Sequence, residues 1–317
     1  MSEKAILITG ATGKQGGSLI DALLKANAPY EILALTRDAQ STSSKKLLAK
    51  SSTIKLVTGN LDATEDVFTK AKEATKTPIW GVFSVQVRLS LSLFHTANTF
   101  QPVGKNEETQ GKALVDASLK HGVSHFVYTS VDRGTNSDTD PTNVPHFISK
   151  YNIEQHLFSK AKNNSNMTYT ILRPVAFYDN LTPNFFGKVF TTSWAVKMPK
   201  TRRLQLIATS DIGVFATQAL LRYQDDMYRN KSMSLASEAL SFEEFSGIFE
   251  KKTGEKLLMT YGLVARMVLG LSKELGTMFD WFREVGFGAS VEQCKAIHGE
   301  MKGFEKWLET ESVWKKV

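Results

Sequence analysis

Residues 5–17 read Ala5-Ile6-Leu7-Ile8-Thr9-Gly10-Ala11-Thr12-Gly13-Lys14-Gln15-Gly16-Gly17, and this stretch decides the fold. Ala5 to Thr9 is an unbroken apolar run of strand length, the pattern of a strand buried on both faces of a parallel sheet. It ends at a glycine, and three glycines recur at every third position: Gly10, Gly13 and Gly16. Gly10 permits a tight turn off the strand, Gly13 lets the backbone approach a pyrophosphate, and Gly16 permits close helix–strand packing. The helix that opens here presents free N–H groups and partial positive charge to phosphates. A glycine turn that holds nothing is the plain alternative. The position directly after an apolar strand and at the start of a helix favours a dinucleotide site.

Working outward, short apolar runs alternate with helical patterns. Gln15 to Lys25 places Leu19, Ile20, Leu23 and Leu24 on one helical side. Strands are predicted at Glu31–Thr36, Ile54–Val57, Ile79–Val85, His125–Ser130 and Tyr169–Leu172, with helices at Ser44–Lys50, Asp66–Lys72 and Asn106–His121 between them. Gly122 stands where a helix C-cap belongs, and Pro145 suits the first turn of a further helix. The alternation predicts an α/β fold with a doubly wound parallel sheet of the Rossmann type. After about residue 175 the rhythm breaks, and Asn180–Lys200 is aromatic-rich without a clear period. Helices are expected at Thr209–Arg222, at Phe242–Lys252 and over most of Ala265–Trp314. The expected organisation is a dinucleotide-binding domain over residues 1–155, joined by 169–176 and about 205–225. A smaller, mainly C-terminal α+β domain over 177–317 would carry the substrate or partner surface, with the ligand cleft between the two.

Composition narrows the function classes. Lys and Arg number 39 against 32 Asp and Glu, a formal charge of +7. The basic residues are dispersed, and their densest clusters are pairs such as Arg202-Arg203 and Lys315-Lys316. That pattern suits a solvated surface with an anionic small ligand better than a nucleic-acid face, so no direct nucleic-acid partner is expected. Cys294 is the single cysteine, which rules out an internal disulfide and fits a reducing compartment. No signal peptide is visible in MSEKAILITG, and the apolar stretch Tyr261–Leu271 is interrupted by Arg266. The expectation is a protein of the cytoplasm or nucleus with no membrane span.

Chemistry-bearing residues fall at strand ends. Arg37 follows the second strand directly, where an NAD site usually has an acid about 20 residues beyond the glycines. A guanidinium there suits the 2′-phosphate of NADP, while Asp38 one place later leaves NAD open. Asn60 and Leu61, after the third strand, fall where side chains flank an adenine, and Phe83, Ser84 and Val85 fall along the path to the nicotinamide. On the helix beginning at Pro145, His146 and Lys150 lie one turn apart on one face. Lys150 suits the nicotinamide ribose hydroxyls and His146 suits proton transfer near neutral pH, with two exposed polar residues at a helix start as the plain alternative. The six histidines lack metal-ligand spacing, and no HExxH, CxxC pair, GxSxG or P-loop occurs, so no metal is expected. Phe177, Tyr178, Phe185 and Phe186 are candidates for a pocket lining or for core.

Taken together, the motifs resemble the NmrA-like branch of the atypical short-chain dehydrogenase/reductases. The resemblance is carried by GATGKQGG at Gly10–Gly17, LTRD at Leu35–Asp38, GNLD at Gly59–Asp62 and HGVSHFVYTS at His121–Ser130. It continues through VPHFISK at Val144–Lys150, LRPVAFYDN at Leu172–Asn180 and SDIG at Ser210–Gly213. It implies NADP(H), with NAD(H) also open, held by Gly10, Thr12, Gly13, Lys14, Gln15, Gly16, Arg37, the strand ends at Asn60–Leu61 and Phe83–Val85, and Lys150. Phe177 and Asn180 would lie toward the nicotinamide end. The wider superfamily uses a Tyr-x-x-x-Lys pair with a nearby serine; here the tyrosine position is His146, and the serine position falls at Ser130 or Val131. The departure removes the phenol that normally transfers the proton. The resemblance therefore implies, first, a dinucleotide-responsive redox sensor that binds a regulatory protein. The other reading is an NADPH-dependent oxidoreductase of a small carbonyl or enone.

Overall fold

In the computed structural model, which describes residues 4–86, 105–162 and 166–315, the apolar run becomes an interior strand of a seven-stranded sheet. Strand β1 (Lys4–Ile8) leads into helix α1 (Lys14–Lys25), β2 (Tyr30–Thr36), α2 (Thr42–Leu48), β3 (Ile54–Thr58), α3 (Thr64–Ala74) and β4 (Ile79–Ser84). Then come α4 (Lys105–Lys120), β5 (His125–Thr129), α5 (Pro145–Lys162) and β6 (Thr168–Pro174). After β6 the chain runs through β7 (Ala176–Phe177), α6 (Phe185–Lys197), β8 (Leu204–Ile207), α7 (Thr209–Leu221), β9 (Lys231–Leu235) and β10 (Glu238–Leu240). Helices α8 (Phe242–Thr253), α9 (Gly262–Leu271), α10 (Lys273–Glu284), α11 (Val291–Ile297) and α12 (Phe304–Thr310) complete it.

The large sheet has the order β3-β2-β1-β4-β5-β6-β9, and the ladders from β3 to β6 are parallel. The order reverses between β1 and β4, so their C-terminal ends open a crevice at the switch point. This is the doubly wound Rossmann-type sheet that the alternation of apolar runs predicts. Ala5 to Ile8 are fully buried, as a strand covered by helices on both faces must be. Ile6, Leu7 and Ile8 each contribute about 1.5–3 kcal/mol of burial. One core joins Leu7, Leu33, Val57, Phe68, Val82, Phe126 and Ile171 with Leu114, Ile153 and Leu157 from α4 and α5.

The chain divides into two units. One comprises Met1–Ser130, Ser149–Leu172 and Gly213–Met233, and the other Val131–Ile148, Arg173–Ile212 and Ser234–Val317. The first holds nearly all of the large sheet. The second holds the three-stranded sheet β10-β8-β7 and an aromatic core including Tyr178, Trp194, Phe245, Phe249, Phe279, Trp281, Phe304 and Trp307.

Three features of the later chain differ from the sequence reading. Helix α6 occupies the aperiodic stretch, because its buried side includes Gly187, Thr191, Thr192 and Ser193, which hydropathy counts as polar. Two of those hydroxyls are satisfied internally. Thr191 Oγ1 donates to the Leu258 carbonyl at 2.7 Å and Thr192 Oγ1 to the Lys188 carbonyl at 2.7 Å. Strands β8 and β10 are four and three residues long, too short to show alternation. Strand β9, the seventh in the large sheet, is mostly half-buried with Lys231 exposed, an edge strand rather than an apolar run. Helix α8, by contrast, begins where the sequence places it and carries a full capping box between Ser241 and Glu244.

Candidate functional site

The glycine loop sits at the C-terminal end of β1. Gly10 adopts φ +58, a left-handed conformation in which a side chain would be strained, and its carbonyl accepts from the Gly13 N–H at 2.9 Å. A Cβ on Gly16 would lie 2.6 Å from the Gly10 carbonyl carbon and 2.9 Å from Ala11 Cα, so only glycine allows α1 to approach the strand this closely. The N-cap of α1 is Gly13, with no side-chain cap and no acid in the first turn. Thr12, Gly13 and Lys14 are exposed around it. A helix of twelve residues thus ends in uncapped N–H groups, partial positive charge and a lysine. These groups fit the pyrophosphate of a dinucleotide. Gln15 faces the end of β5, where its Oε1 accepts from Thr129 Oγ1 at 2.6 Å.

Arg37 is exposed immediately after β2 and has no ion-pair partner among the described residues. Asp38 is differently engaged: its Oδ1 accepts from the Gln40 backbone N–H at 2.8 Å, closing its own turn. Asn60 is exposed and caps a short 3₁₀ turn, Leu61–Ala63, by accepting from the Asp62 N–H; Leu61 packs partly against the core. Phe83 and Ser84 are fully buried, and the Ser84 hydroxyl accepts from Gln86 Nε2 at 2.8 Å. Val85 is fixed to the β1 end, because Thr9 Oγ1 both donates to its carbonyl and accepts from its N–H at 2.8 Å.

Lys150 lies on α5 with its ammonium 2.9 Å from Glu107 Oε1 on α4 and 5.8 Å from the Tyr128 ring centroid. The helices meet closely one turn further along, where a Cβ on Gly111 would come within 2.7 Å of Ile153 Cγ1. His146, at the first turn of the same helix, is not an exposed polar end. Its Nδ1 is 2.8 Å from Glu274 Oε1, and both side chains are mostly buried, at 15% and 12% exposure. The ring packs edge-on against Phe147 at 4.5 Å. Of the two candidate serine positions, Ser130 is buried at the end of β5 with its N–H donated to the Leu172 carbonyl at 2.7 Å. Val131 belongs to the aromatic core of the second unit. In that unit Phe177 is half-buried and Asn180 exposed. Tyr178 is core, with its hydroxyl hydrogen-bonded to Ser237 at 2.9 Å and to Glu238. Burial pushes the Tyr178 phenol well above the usual tyrosine range, with the Glu238 carboxylate adding to the effect, so it stays a neutral phenol at neutral pH.

Glu107 and Glu274 are the residues that sequence reasoning misses. Acids in the first turn of a helix read as ordinary dipole partners. The one available signal for the first is Gly111 in mid-helix, a position where glycine marks close approach. Among the described residues, no cluster of His, Cys, Asp and Glu could hold a metal ion, and no helix is long and apolar enough to cross a membrane.

The model of the NmrA-like family matches residues 2–310. An NmrA-like family domain-containing oxidoreductase, hkm9 of Aspergillus hancockii, is 26% identical over 266 residues, covering 80% of this chain and 73% of that protein. The fold is shared with NmrA, a negative transcriptional regulator solved in complex with NADP, at a TM-score of 0.67 and 15% identity over 98% of this chain and 96% of the other. It is shared equally with an NADPH-dependent quinone oxidoreductase of Escherichia coli complexed with NADPH, at a TM-score of 0.67 and 16% identity over 95% and 97%.

Proposed function

The chain belongs to the NmrA-like family, and from that premise we propose that it is an NADP(H)-dependent oxidoreductase acting on a small carbonyl or enone. The observation that carries this reading is the His146–Glu274 pair. The position where the wider superfamily holds a tyrosine is filled by an imidazole seated against a carboxylate. The N-terminus of α1 with Thr12, Lys14 and Gln15 would hold the pyrophosphate, Arg37 the 2′-phosphate, and Lys150 the nicotinamide ribose. NADP(H), when bound, supplies the two-electron chemistry. What the chain must add is orientation and a proton. The Glu274 carboxylate, 2.8 Å from Nδ1, pins that edge of the ring, and His146 in its protonated form then offers the proton on Nε2.

Single-turnover NADPH oxidation against aldehydes, quinones and enones tests this. His146→Ala is expected to slow turnover about a hundredfold, the low end for losing a general acid, while NADPH affinity stays within twofold. An unchanged rate in that variant would remove the role given to His146. A second reading, a dinucleotide-responsive regulator, is favoured by a different observation: Glu107 already neutralises Lys150, and no tyrosine stands at position 146. If nothing on the panel is turned over and a protein partner binds NADP⁺ and NADPH forms differently, the regulator reading replaces the first.

Cofactor choice has its own test. Arg37→Ala is expected to weaken NADPH binding about tenfold or more, the worth of a charge-assisted phosphate contact, and to leave NADH binding unchanged. Titration with both dinucleotides checks it. Equal affinities of the wild-type protein for the two would contradict the assignment of Arg37.

A further inference from the structure

We propose that Glu107 is the positioning residue for Lys150, an inference that deepens the dinucleotide reading and rests on it. Glu107 is 5% exposed, and a carboxylate so far from water is costly unless a charge compensates it. Its compensation is the Lys150 ammonium, 2.9 Å from Oε1. Neither carboxylate oxygen has a hydrogen-bond partner among the described residues. The neighbouring side chains are committed elsewhere: Glu108 to Lys112 and Asn152, and Gln110 to Asp62 at 2.7 Å. Among the described residues, the charged partner of Glu107 is Lys150.

The lysine needs such a partner. Its four-carbon stem is flexible, and an ammonium left to itself samples several rotamers. With Glu107 anchoring the ammonium from the α4 side, and the Tyr128 ring nearby, the head group is confined while its side chain stays 14% exposed. Gly111 sets the spacing, since any side chain there would drive α4 from Ile153 and open the ion pair one turn away. The next residue after Tyr128 in β5 is Thr129, which donates to Gln15 of α1. The anchored ammonium is thus tied to the same strand end as the glycine loop. In this arrangement Glu107 acts through Lys150 on the nicotinamide ribose and has no part in holding the adenosine half of the cofactor.

The experiment compares NADPH with 2′,5′-ADP, which carries the 2′-phosphate but lacks the nicotinamide ribose. Glu107→Gln and Lys150→Met are each expected to weaken NADPH binding about tenfold by fluorescence titration and to leave 2′,5′-ADP binding within twofold. The double variant Glu107→Gln/Lys150→Met is expected to bind NADPH no more weakly than Lys150→Met alone, because the first residue acts through the second. Glu107→Asp, which keeps the charge but shortens the side chain, is expected to fall between the wild type and Glu107→Gln. Equal weakening of both ligands would show a merely structural carboxylate and overturn the proposal, as would additive losses in the double variant. If the wild-type protein binds neither ligand, the dinucleotide reading itself fails, a result distinct from the other two.

Discussion

Gly16→Val is expected to abolish dinucleotide binding and to destabilise the first unit by about 3 kcal/mol or more. The reason is geometric. Atoms added at Gly16 meet the Gly10 carbonyl group and Ala11 Cα, with the carbonyl carbon at 2.6 Å. These are backbone atoms of the cradle, and no rotamer change can move them aside. Overpacking of side-chain cores costs about 1–3 kcal/mol, and a rigid backbone neighbour places this site at or above the upper end. To relieve the clash α1 must back away from β1, which withdraws its N-terminal N–H groups from the place where phosphates would sit. Gly17→Ala is the control. Its Cβ would meet Ala11 O at 3.6 Å, an ordinary contact. Replacing a helical glycine by alanine is worth up to about 1 kcal/mol in propensity, so this variant should be neutral or slightly more stable and should bind NADPH normally. Thermal unfolding and NADPH titration of both variants decide the matter. A Gly16→Val protein with wild-type affinity would show that the loop is only a turn.

The contrast between Gly16 and Gly17 also shows how far sequence reaches. The three-residue spacing singles out Gly16 and passes over Gly17, because strand, turn and helix here are contiguous and their geometry is local. The same holds for Arg37, whose place is set by the residue at which β2 ends. The central strands were legible for a related reason: coverage by helices on both faces leaves apolar runs such as Ala5–Ile8 and Ile79–Phe83. Pairs formed between distant segments leave no such mark. Nothing near Glu107 names Lys150, and nothing near Glu274 names His146, because α4–α5 and α5–α10 contacts arise only from tertiary packing. Helix α6 was hidden by chemistry rather than distance. Its buried threonines look polar in the sequence and become compatible with the interior only once their hydroxyls find the carbonyls of residues 188 and 258.

A buried histidine outside the candidate site gives the largest expected pH effect. His125 opens β5, is completely buried, and stacks near Trp80 with ring centroids 5.9 Å apart. Its Nδ1 pairs with Thr168 Oγ1 at 2.8 Å. Burial pushes the imidazole down to about 3, and a hydrogen bond with the Ala219 backbone offsets only part of that. The ring is therefore neutral in the folded protein at any ordinary pH. In the unfolded chain it takes up a proton near pH 6.5. Above that value neither state is protonated and His125 contributes no pH dependence. As the pH falls from about 6.5 toward 3, the unfolded state binds a proton that the folded state refuses, and stability falls by about 1.4 kcal/mol per unit. Over the whole window the loss is on the order of 5 kcal/mol, a large share of the 5–15 kcal/mol typical of a folded domain. Urea unfolding of the wild type and of His125→Gln between pH 7.5 and 4.5 isolates the effect, since both proteins share every other titrating group. The variant is expected to start less stable at pH 7.5, having lost a packed ring, and to show the shallower decline. Parallel curves would mean that His125 gains its proton in the folded state, and that the β5 end opens to water far more readily than its burial implies.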